Sequence, residues 1–573
     1  MIKHPRLTEV CPINLLPHQI DHVRKIWELL TKDCAFSYIE CSSTGAGKTL
    51  CSLYQGWLLQ KLYGTKIMII APSETSLRAD SDGWLANAEE YGIKIEIATT
   101  YPALRGGQGT VSHPWLIPHS DKKKWKASPE FEELCSKGLF LIFDEFHNTK
   151  NASITHFSCA ALVKMAKKYR NICRVALLSH TPGDKPEHLV NILRMTGLIT
   201  SVRMFKHVAF TSDYEWENYG LGELARVCNK IANNDEAKRK IQDSMYRISA
   251  AKVNGICQEL YEAYIRPRIT FAMPIPEKKF KVTLLNAFLE NDEESLELLN
   301  NGMNLLTGAV GWDPVAQVVA PQAQWNLAQI SVGLRLIEQG KLVSIANYVR
   351  STSQKFPNKK FVICCGARSI KHHDMLAAIL FKKMTPESYK GIIDELRIKN
   401  ENWRKLPKDM INYLSKFLEY DIPVDRINGQ VSKSQRTEII RKFQSPTNDS
   451  WCLLISPGTG SEALSLHDKH GNHPRELLTV VDFYFSRTIQ ICGRINRVGM
   501  QSDAKVMIVY AKAAALETNI LTSMLQKSRT ARGILADGQD VTFPADYPYW
   551  IEEKTDPAIE NELNLLGMQK YNE

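Results

Sequence analysis

Residues 40–50 read ECSSTGAGKTL, directly after the apolar stretch Ala35–Cys41. A strict phosphate-binding loop has Gly, four residues, then Gly-Lys-Ser/Thr. Gly47-Lys48-Thr49 supplies the end of that pattern, whereas Ser42 stands where the first Gly belongs. Ser43, Thr44, Gly45, Ala46 and Gly47 form the turn. Its two glycines let consecutive backbone N–H groups face an anion. Lys48 is placed to neutralise β- and γ-phosphates, and the Thr49 hydroxyl to ligand Mg²⁺. The helix expected over Leu50–Leu62 would aim its positive end at the same phosphates. A glycine turn joining a strand to a helix would give a similar string, so the rest of the chain has to decide.

A second segment, LFLIFDEFHNTKN at 139–151, places an Asp-Glu pair at the end of an apolar strand about 95 residues later. An isolated Asp-Glu is usually a solvated strand end. Behind a phosphate loop it reads as a hydrolytic site, with Asp144 on Mg²⁺, Glu145 polarising the attacking water and His147 coupling outward. LLSHTPGDK at 177–185 brings Ser179 and Thr181 to the edge where open α/β sheets bind ligands. Far downstream, QICGRINRVGMQ at 490–501 carries Gln490, Gly493, Arg494 and Arg497. The two arginines are three apart, which predicts one face of a helix.

From residue 12 to about 200, strand-length apolar runs alternate with helical patterns: Ala35–Cys41, Lys66–Ala71, Lys94–Ala98, Leu139–Phe143 and Cys173–Leu178. That alternation predicts parallel βαβ units. Residues 203–310 have helical periodicity and little strand signal. Strand patterns return at Lys360–Cys365, Trp451–Ile455, Leu478–Phe483 and Ala504–Tyr510. The expected organisation is an α/β lobe over 1–200, a mainly helical region over 201–330 and a second α/β lobe over 331–540. A helical insertion is expected at about 370–422, and the tail 541–573 has no assigned role.

With 573 residues the chain can bury several cores. No apolar run approaches the ~20 residues of a membrane span, and MIKHPRLTEV is not a signal peptide. No membrane partner is expected. Thirteen cysteines without a C-x-x-C pair favour a reducing, intracellular compartment over a disulfide framework or zinc module. The net charge of +10 is compatible with a polyanionic partner and does not demand one.

Taken in order, the motifs resemble the superfamily-two helicases and translocases, most closely the Swi/Snf-like branch with its viral nucleoside-triphosphatases. LLPHQIDHV at 15–23 resembles the adenine-recognising Q element, with Gln19 in the key place. IIAPSE at 69–74 and IATTYPAL at 97–104 resemble motif Ia and the element after it. DEFHNTKN and LLSHTP resemble the next two motifs. RINGQVSKSQRTEIIRKFQ at 426–444, SPGTGSEALSLHD at 456–468 and QICGRINRVGMQ resemble those of a second lobe. The likeness covers most of 12–530.

This resemblance implies two RecA-like lobes closing on ATP and Mg²⁺, with Arg494 and Arg497 as fingers and Gln490 and Gly493 beside the nucleotide. It also implies nucleic-acid contacts at Pro72, Ser73, Thr99, Thr100, Gly458 and Thr459. Lys122, Lys123, Lys124 and Trp125, in HPWLIPHSDKKKWKASPE, suit either backbone neutralisation with base stacking or a solvated loop around a half-buried Trp. The implied activity is an ATP-dependent nucleic-acid motor, on DNA in preference to RNA. The alternative is a polymerase-associated or virion factor with slow or vestigial ATPase. The resemblance leaves an RNA polymerase, or another replication or transcription protein, open as a protein partner. The cytoplasm or nucleus is the expected location, or for a viral protein the virion or viral factory. Ser461-Glu462 and the 370–422 insertion depart from the chromatin-remodelling pattern and point to a viral or otherwise divergent relative.

Overall fold

The computed structural model describes residues 10–43, 45–78, 83–106, 114–118, 125–206, 216–244, 249–273, 280–287, 293–310, 312–313, 318–319, 327–365, 425–429, 431–447, 450–460, 464–482, 485–497, 499–511, 515–535 and 568–570. Thr44, Lys122–Lys124, the 370–422 insertion and most of the 541–573 tail lie outside them. The chain divides into two compact units. The first holds Met1–Pro276 and Lys527–Val541, and the second holds Glu277–Gln526 and Thr542–Glu573. One division falls inside the 201–330 stretch, and another falls near 527, inside the stretch read as the second lobe.

The first unit is built on six strands: β1 (Ser37–Glu40), β2 (Lys66–Ala71), β3 (Ile97–Thr100), β6 (Leu139–Asp144), β7 (Arg174–Leu178) and β8 (Thr270–Phe271). Their order is β3-β2-β6-β7-β1-β8 and every pairing is parallel. β4 (Leu116–Pro118) and β5 (Trp125–Ala127) form a separate antiparallel pair. Strands such as KIMIIA and LFLIFD are almost wholly buried, as a parallel sheet covered on both faces requires. Because all six run the same way, Glu40, Thr100, Asp144 and Leu178 end at one edge. That edge is where the site forms.

Helices α1 (Pro17–Thr31) and α2 (Lys48–Tyr63) pack in this unit. Val23, Ile26 and Leu30 of α1 join Leu53 and Leu58 of α2 and Ile67 and Ile69 of β2 in one buried cluster. Pro17 opens α1, where its missing N–H costs nothing. Gly64, left-handed at φ 66°, closes α2 by turning its N–H onto Gln60 and Leu59. Three shorter helices follow, α3 (Glu74–Arg78), α4 (Trp84–Glu90) and α5 (Tyr101–Arg105).

The second unit repeats the α/β plan. Its sheet runs β13-β14-β12-β15-β16-β9-β17. These are β9 (Phe280–Ala287), β12 (Lys360–Cys364), β13 (Asp425–Ile427), β14 (Cys452–Ile455), β15 (Arg475–Val480), β16 (Ala504–Tyr510) and β17 (Met568–Lys570). All pairings are parallel except β17 with β9. A small hairpin joins β10 (Trp312–Asp313) to β11 (Val318–Val319). Val362, Leu453, Leu477, Ile491 and Val506 make its core. Two mainly parallel sheets in tandem are the α/β, two-lobe architecture expected from the sequence.

Some local expectations fail. The stretch 203–310, read as helical, contains β8 and β9. β9 aligns with β16 over its whole length, from Phe280↔Ala504 to Tyr510↔Asn286. Its partner lies more than two hundred residues away in sequence, so local periodicity carries little of the signal. β15 begins at Arg475, three residues before the apolar run suggested, because its first two residues are buried charges held by ion pairs.

Candidate active site

The loop between β1 and α2 is held from both sides. Gly45 and Gly47 are left-handed, at φ 83° and 97°, a region that favours glycine. Gln19 on α1 accepts the Leu16 N–H (2.9 Å) and donates its side-chain amide to the Ala46 carbonyl (2.9 Å). A Cβ added at Gly47 would stand 2.3 Å from Gln19 Nε2, so any side chain there would displace the glutamine. The residue placed in the adenine-recognising role is thus docked on the loop itself. Gln490 is buried on the helix Phe485–Cys492 of the second unit, with Gly493 just beyond its end.

Lys48 is the first residue of α2, and its ammonium rests on the Ser42 and Ser43 carbonyls at 2.6 and 3.1 Å. Thr49 follows, half-buried. Behind the loop, Glu40 accepts the Ser42 N–H at 2.9 Å and pairs with His22 of α1. Burial pushes the Glu40 carboxyl up, but His22 and the two Ser42 bonds outweigh it, leaving the group below its ordinary range. Ser43 Oγ and His180 Nδ1 are buried without a hydrogen-bond partner among the described residues. A polar ligand would satisfy such orphans.

At the end of β6, burial and the charge of Glu145 raise the Asp144 carboxyl to about 6. The Trp84 indole of α4 donates to Asp144 Oδ2 (3.0 Å), and Lys48 also favours the charged form. Tyr101 of α5 donates to the Asp144 carbonyl at 2.8 Å. Glu145 adopts φ 49°, ψ 49°, a left-handed conformation that costs a non-glycine residue about 1–2 kcal/mol. Its Oε2 lies 3.1 Å from His147 Nδ1 and 3.5 Å from Ser179 Oγ, and His147 Nδ1 is 3.1 Å from Ser179 Oγ. Ser179 Oγ also accepts the Thr181 N–H at 3.3 Å. The structure therefore joins Glu145, His147, Ser179 and Thr181 in one network. Burial and Lys48 lower the His180 imidazole to about 4, so it stays neutral beside the loop.

Sequence reasoning missed the outer bracing. Lys150 binds Asp184 at 2.7 Å, Asp184 lies 3.0 Å from His188, and His188 Nε2 is 3.1 Å from Asn151 Oδ1. Asn191 donates to the Lys150 carbonyl (2.8 Å). This ring fastens the turn after Glu145 to the segment after Thr181. Lys150 and Asn151 stood inside a quoted motif, but their partners are more than thirty residues away.

Elsewhere the expected residues sit as follows. Ser73 caps α3, its Oγ taking the Ser76 N–H at 3.2 Å, with Pro72 beside it. Thr99 ends β3 with Thr100, whose buried hydroxyl caps α5 by accepting the Ala103 N–H (3.2 Å). Trp125 is half-buried in β5, and its indole N–H has no partner among the described residues. Gly458 is exposed after β14, with Thr459 in the same short helix. Arg494 is buried and Arg497 half-buried, but not on a helix face as the spacing suggested. The helix ends at Cys492, and the Arg494 carbonyl accepts the Leu466 N–H at 3.0 Å instead of continuing it.

No family model matches the chain. A protein of Acanthamoeba polyphaga mimivirus, provisionally named an ATP-dependent RNA helicase, is 23% identical over 526 residues, 90% of this chain and 82% of that protein. Among solved structures, the DUF1998 helicase MrfA bound to DNA aligns at 9% identity and a TM-score of 0.40, over 91% of this chain and 52% of that one. This chain thus spans about half that protein's length. The SWI2/SNF2 ATPase core of Sulfolobus solfataricus in complex with dsDNA aligns at 15% identity and a TM-score of 0.27, over 91% of this chain and 97% of that one. By sequence, the chain therefore has a helicase-named relative.

Proposed function

We propose that the protein is a nucleic-acid-dependent ATPase, a motor of the helicase or duplex-translocase kind. The observation that carries this is the edge of the first sheet. Lys48 and Asp144 interact electrostatically there, with Glu145 beside Asp144 in a network of its own. Two adjacent acids, one raised to about 6, form a site that favours a divalent cation. Asp144 and Thr49 would hold Mg²⁺, which supplies charge neutralisation at the phosphates when bound. Lys48 would leave the Ser42 and Ser43 carbonyls for the β- and γ-oxygens. Glu145 would orient and deprotonate the attacking water, with His147 and Ser179 fixing its carboxylate. Gln19 would read adenine with its remaining amide hydrogen and carbonyl lone pair, the others being held by Ala46 and Leu16. Arg494 and Arg497 would stabilise charge on the transferring phosphoryl group.

DNA is the proposed track. Pro72, Ser73, Thr99, Thr100, Gly458 and Thr459 would meet its backbone, and Lys122–Lys124 with Trp125 would add charge and stacking. The mimivirus relative's name favours RNA, so the polymer must be decided by measurement. ATP turnover should be compared with no polymer, single-stranded DNA, duplex DNA and RNA. Turnover stimulated by a polymer and abolished by Lys48→Ala supports the motor. Unstimulated turnover favours instead the slow-ATPase binding factor.

A further inference from the structure

Ser42, the residue that replaces the first glycine of the strict phosphate loop, is fully buried and hydrogen-bonded through its N–H, its carbonyl and its hydroxyl. Its N–H goes to Glu40 (2.9 Å), its carbonyl accepts Lys48 Nζ (2.6 Å), and its Oγ accepts the Met273 N–H at 2.7 Å. Met273 follows β8, which lies against β1 with Ile39 opposite Thr270 and Glu40 opposite Phe271. Cys41 N–H extends that ladder to the Phe271 carbonyl (2.7 Å). The Met273 side chain is itself buried, its sulfur 3.7 Å from Cys51 Sγ on α2. Three residues beyond Met273, at Pro276, the chain leaves the first unit.

We infer that Ser42 is a positioning residue that couples occupancy of the phosphate loop to the chain segment leaving the first unit. The inference rests on the ATP-binding reading of the loop. The same peptide that holds the Lys48 ammonium holds, through its side chain, the backbone of Met273. When phosphates draw Lys48 from the Ser42 carbonyl, Ser42 loses one of its constraints, and the load on the Met273 bond changes. A glycine at this position has no hydroxyl to pass the change on. The loop can then bind phosphate as before, with the exit segment uninformed.

Amide hydrogen exchange across residues 268–273 tests this, with and without Mg²⁺ and a non-hydrolysable ATP analogue. In the wild type, exchange of this segment should change on binding. Ser42→Ala should abolish the change and lower the ratio of polymer-stimulated to basal turnover by roughly threefold to tenfold, the scale of one lost buried hydrogen bond. Ser42→Thr, which keeps the hydroxyl, should restore both. If the analogue binds and the wild-type segment does not respond, the coupling is wrong and the ATP-binding reading stands. If Ser42→Ala keeps the wild-type response and ratio, the coupling is likewise overturned. If the analogue does not bind at all, both readings fall together. Should Ser42→Ala not fold, the wild-type exchange and Ser42→Thr decide the matter.

Discussion

The two sheets are built alike and differ in how the charges at their strand ends are matched. In the first, buried Glu40 ends β1, half-buried Asp144 ends β6 and Glu145 follows it, while half-buried Lys66 and Arg174 open β2 and β7. In the second, buried charges open β12 and β15, and the buried Asp482 just beyond β15 is paired with Arg487 at 3.0 Å. Lys360 opens β12 and gives its ammonium to the Phe443 and Ser445 carbonyls at 2.9 and 2.8 Å. Arg475 opens β15 with Gln444 at 3.3 Å, Asp468 at 3.9 Å and the Phe443 ring 4.8 Å away. Glu476 binds Lys359 at 2.6 Å and Tyr348 at 2.5 Å. Charges at the starts of strands meet opposite charges, carbonyls or rings, so they cement the fold. Asp144 and Glu145 instead repel each other at the edge where open sheets bind ligands. A repulsive pair kept in place is what the proposed cation site requires, whereas purely structural charges tend to be matched.

If that contrast is functional, Lys48 of the first unit needs the arginines proposed to act on the transferring phosphoryl group, Arg494 and Arg497 of the second unit's motif. Arg497→Ala should then have the largest effect of any single change, a fall of ~10³–10⁵ in kcat with little change in ATP affinity. That corresponds to about 4–7 kcal/mol of transition-state stabilisation. Retention of polymer-stimulated turnover in this variant would leave the first unit catalytically self-sufficient and the comparison broken.

Glu145→Gln should come next, slowing hydrolysis by roughly 10²–10⁴ while ATP still binds. The variant should accumulate an ATP-bound complex on nucleic acid, visible as slowed dissociation. Normal turnover would reassign the base and leave the strained backbone at Glu145 without a purpose.

The matched charges of the second unit should respond in stability and not in chemistry. Lys341, 1% exposed, binds Glu517 at 2.5 Å and the Val509 carbonyl at 3.3 Å, and Glu517 also accepts the Ala511 N–H (2.7 Å). Lys341→Met strands a buried carboxylate and should cost about 3–5 kcal/mol of unfolding free energy. Denaturant titration of the full chain reads this directly, and an unchanged midpoint would show that the pair is not the cement its geometry suggests.

How much of this was legible in the sequence follows from range. β2, Lys66–Ala71, and β16, Ala504–Tyr510, match their apolar runs residue for residue because a buried parallel strand announces itself locally. The glycine loop and the Asp-Glu strand end were legible for the same reason. Lys94–Ala98 was misplaced by a few residues, since β3 starts at Ile97 only after Ile93 has bonded back to Ala88 to close α4. The supports were not legible at all. His22 on Glu40, Met273 on Ser42, and Trp84 and Tyr101 on Asp144 join residues 18 to 231 positions apart. Neither Trp84 nor His22 sits in a pattern that names its partner.

Trp84 supplies the smallest and most discriminating test. Its indole N–H reaches Asp144 from a fully buried ring and is among the forces that hold the carboxyl's pKa down, against burial and Glu145. Because the folded-state value lies above the unfolded one, Asp144 favours the fold most below about pH 4, and that contribution disappears as pH rises through about 6. Activity runs the other way, since cation binding needs the charged carboxylate. The acid limb of kcat/KM should therefore lie near pH 6 at low Mg²⁺ and move down as Mg²⁺ is raised. Trp84→Phe keeps most of the packing and removes the donor, so it should push the limb upward by about one pH unit, on the order of 1 kcal/mol. Asp144→Asn should remove this titration from the stability profile and leave the metal-free protein more resistant to unfolding at pH 7. An acid limb that ignores both Trp84→Phe and Mg²⁺ would mean that another group titrates, and that the repulsive edge of the first sheet is not where the cation is held.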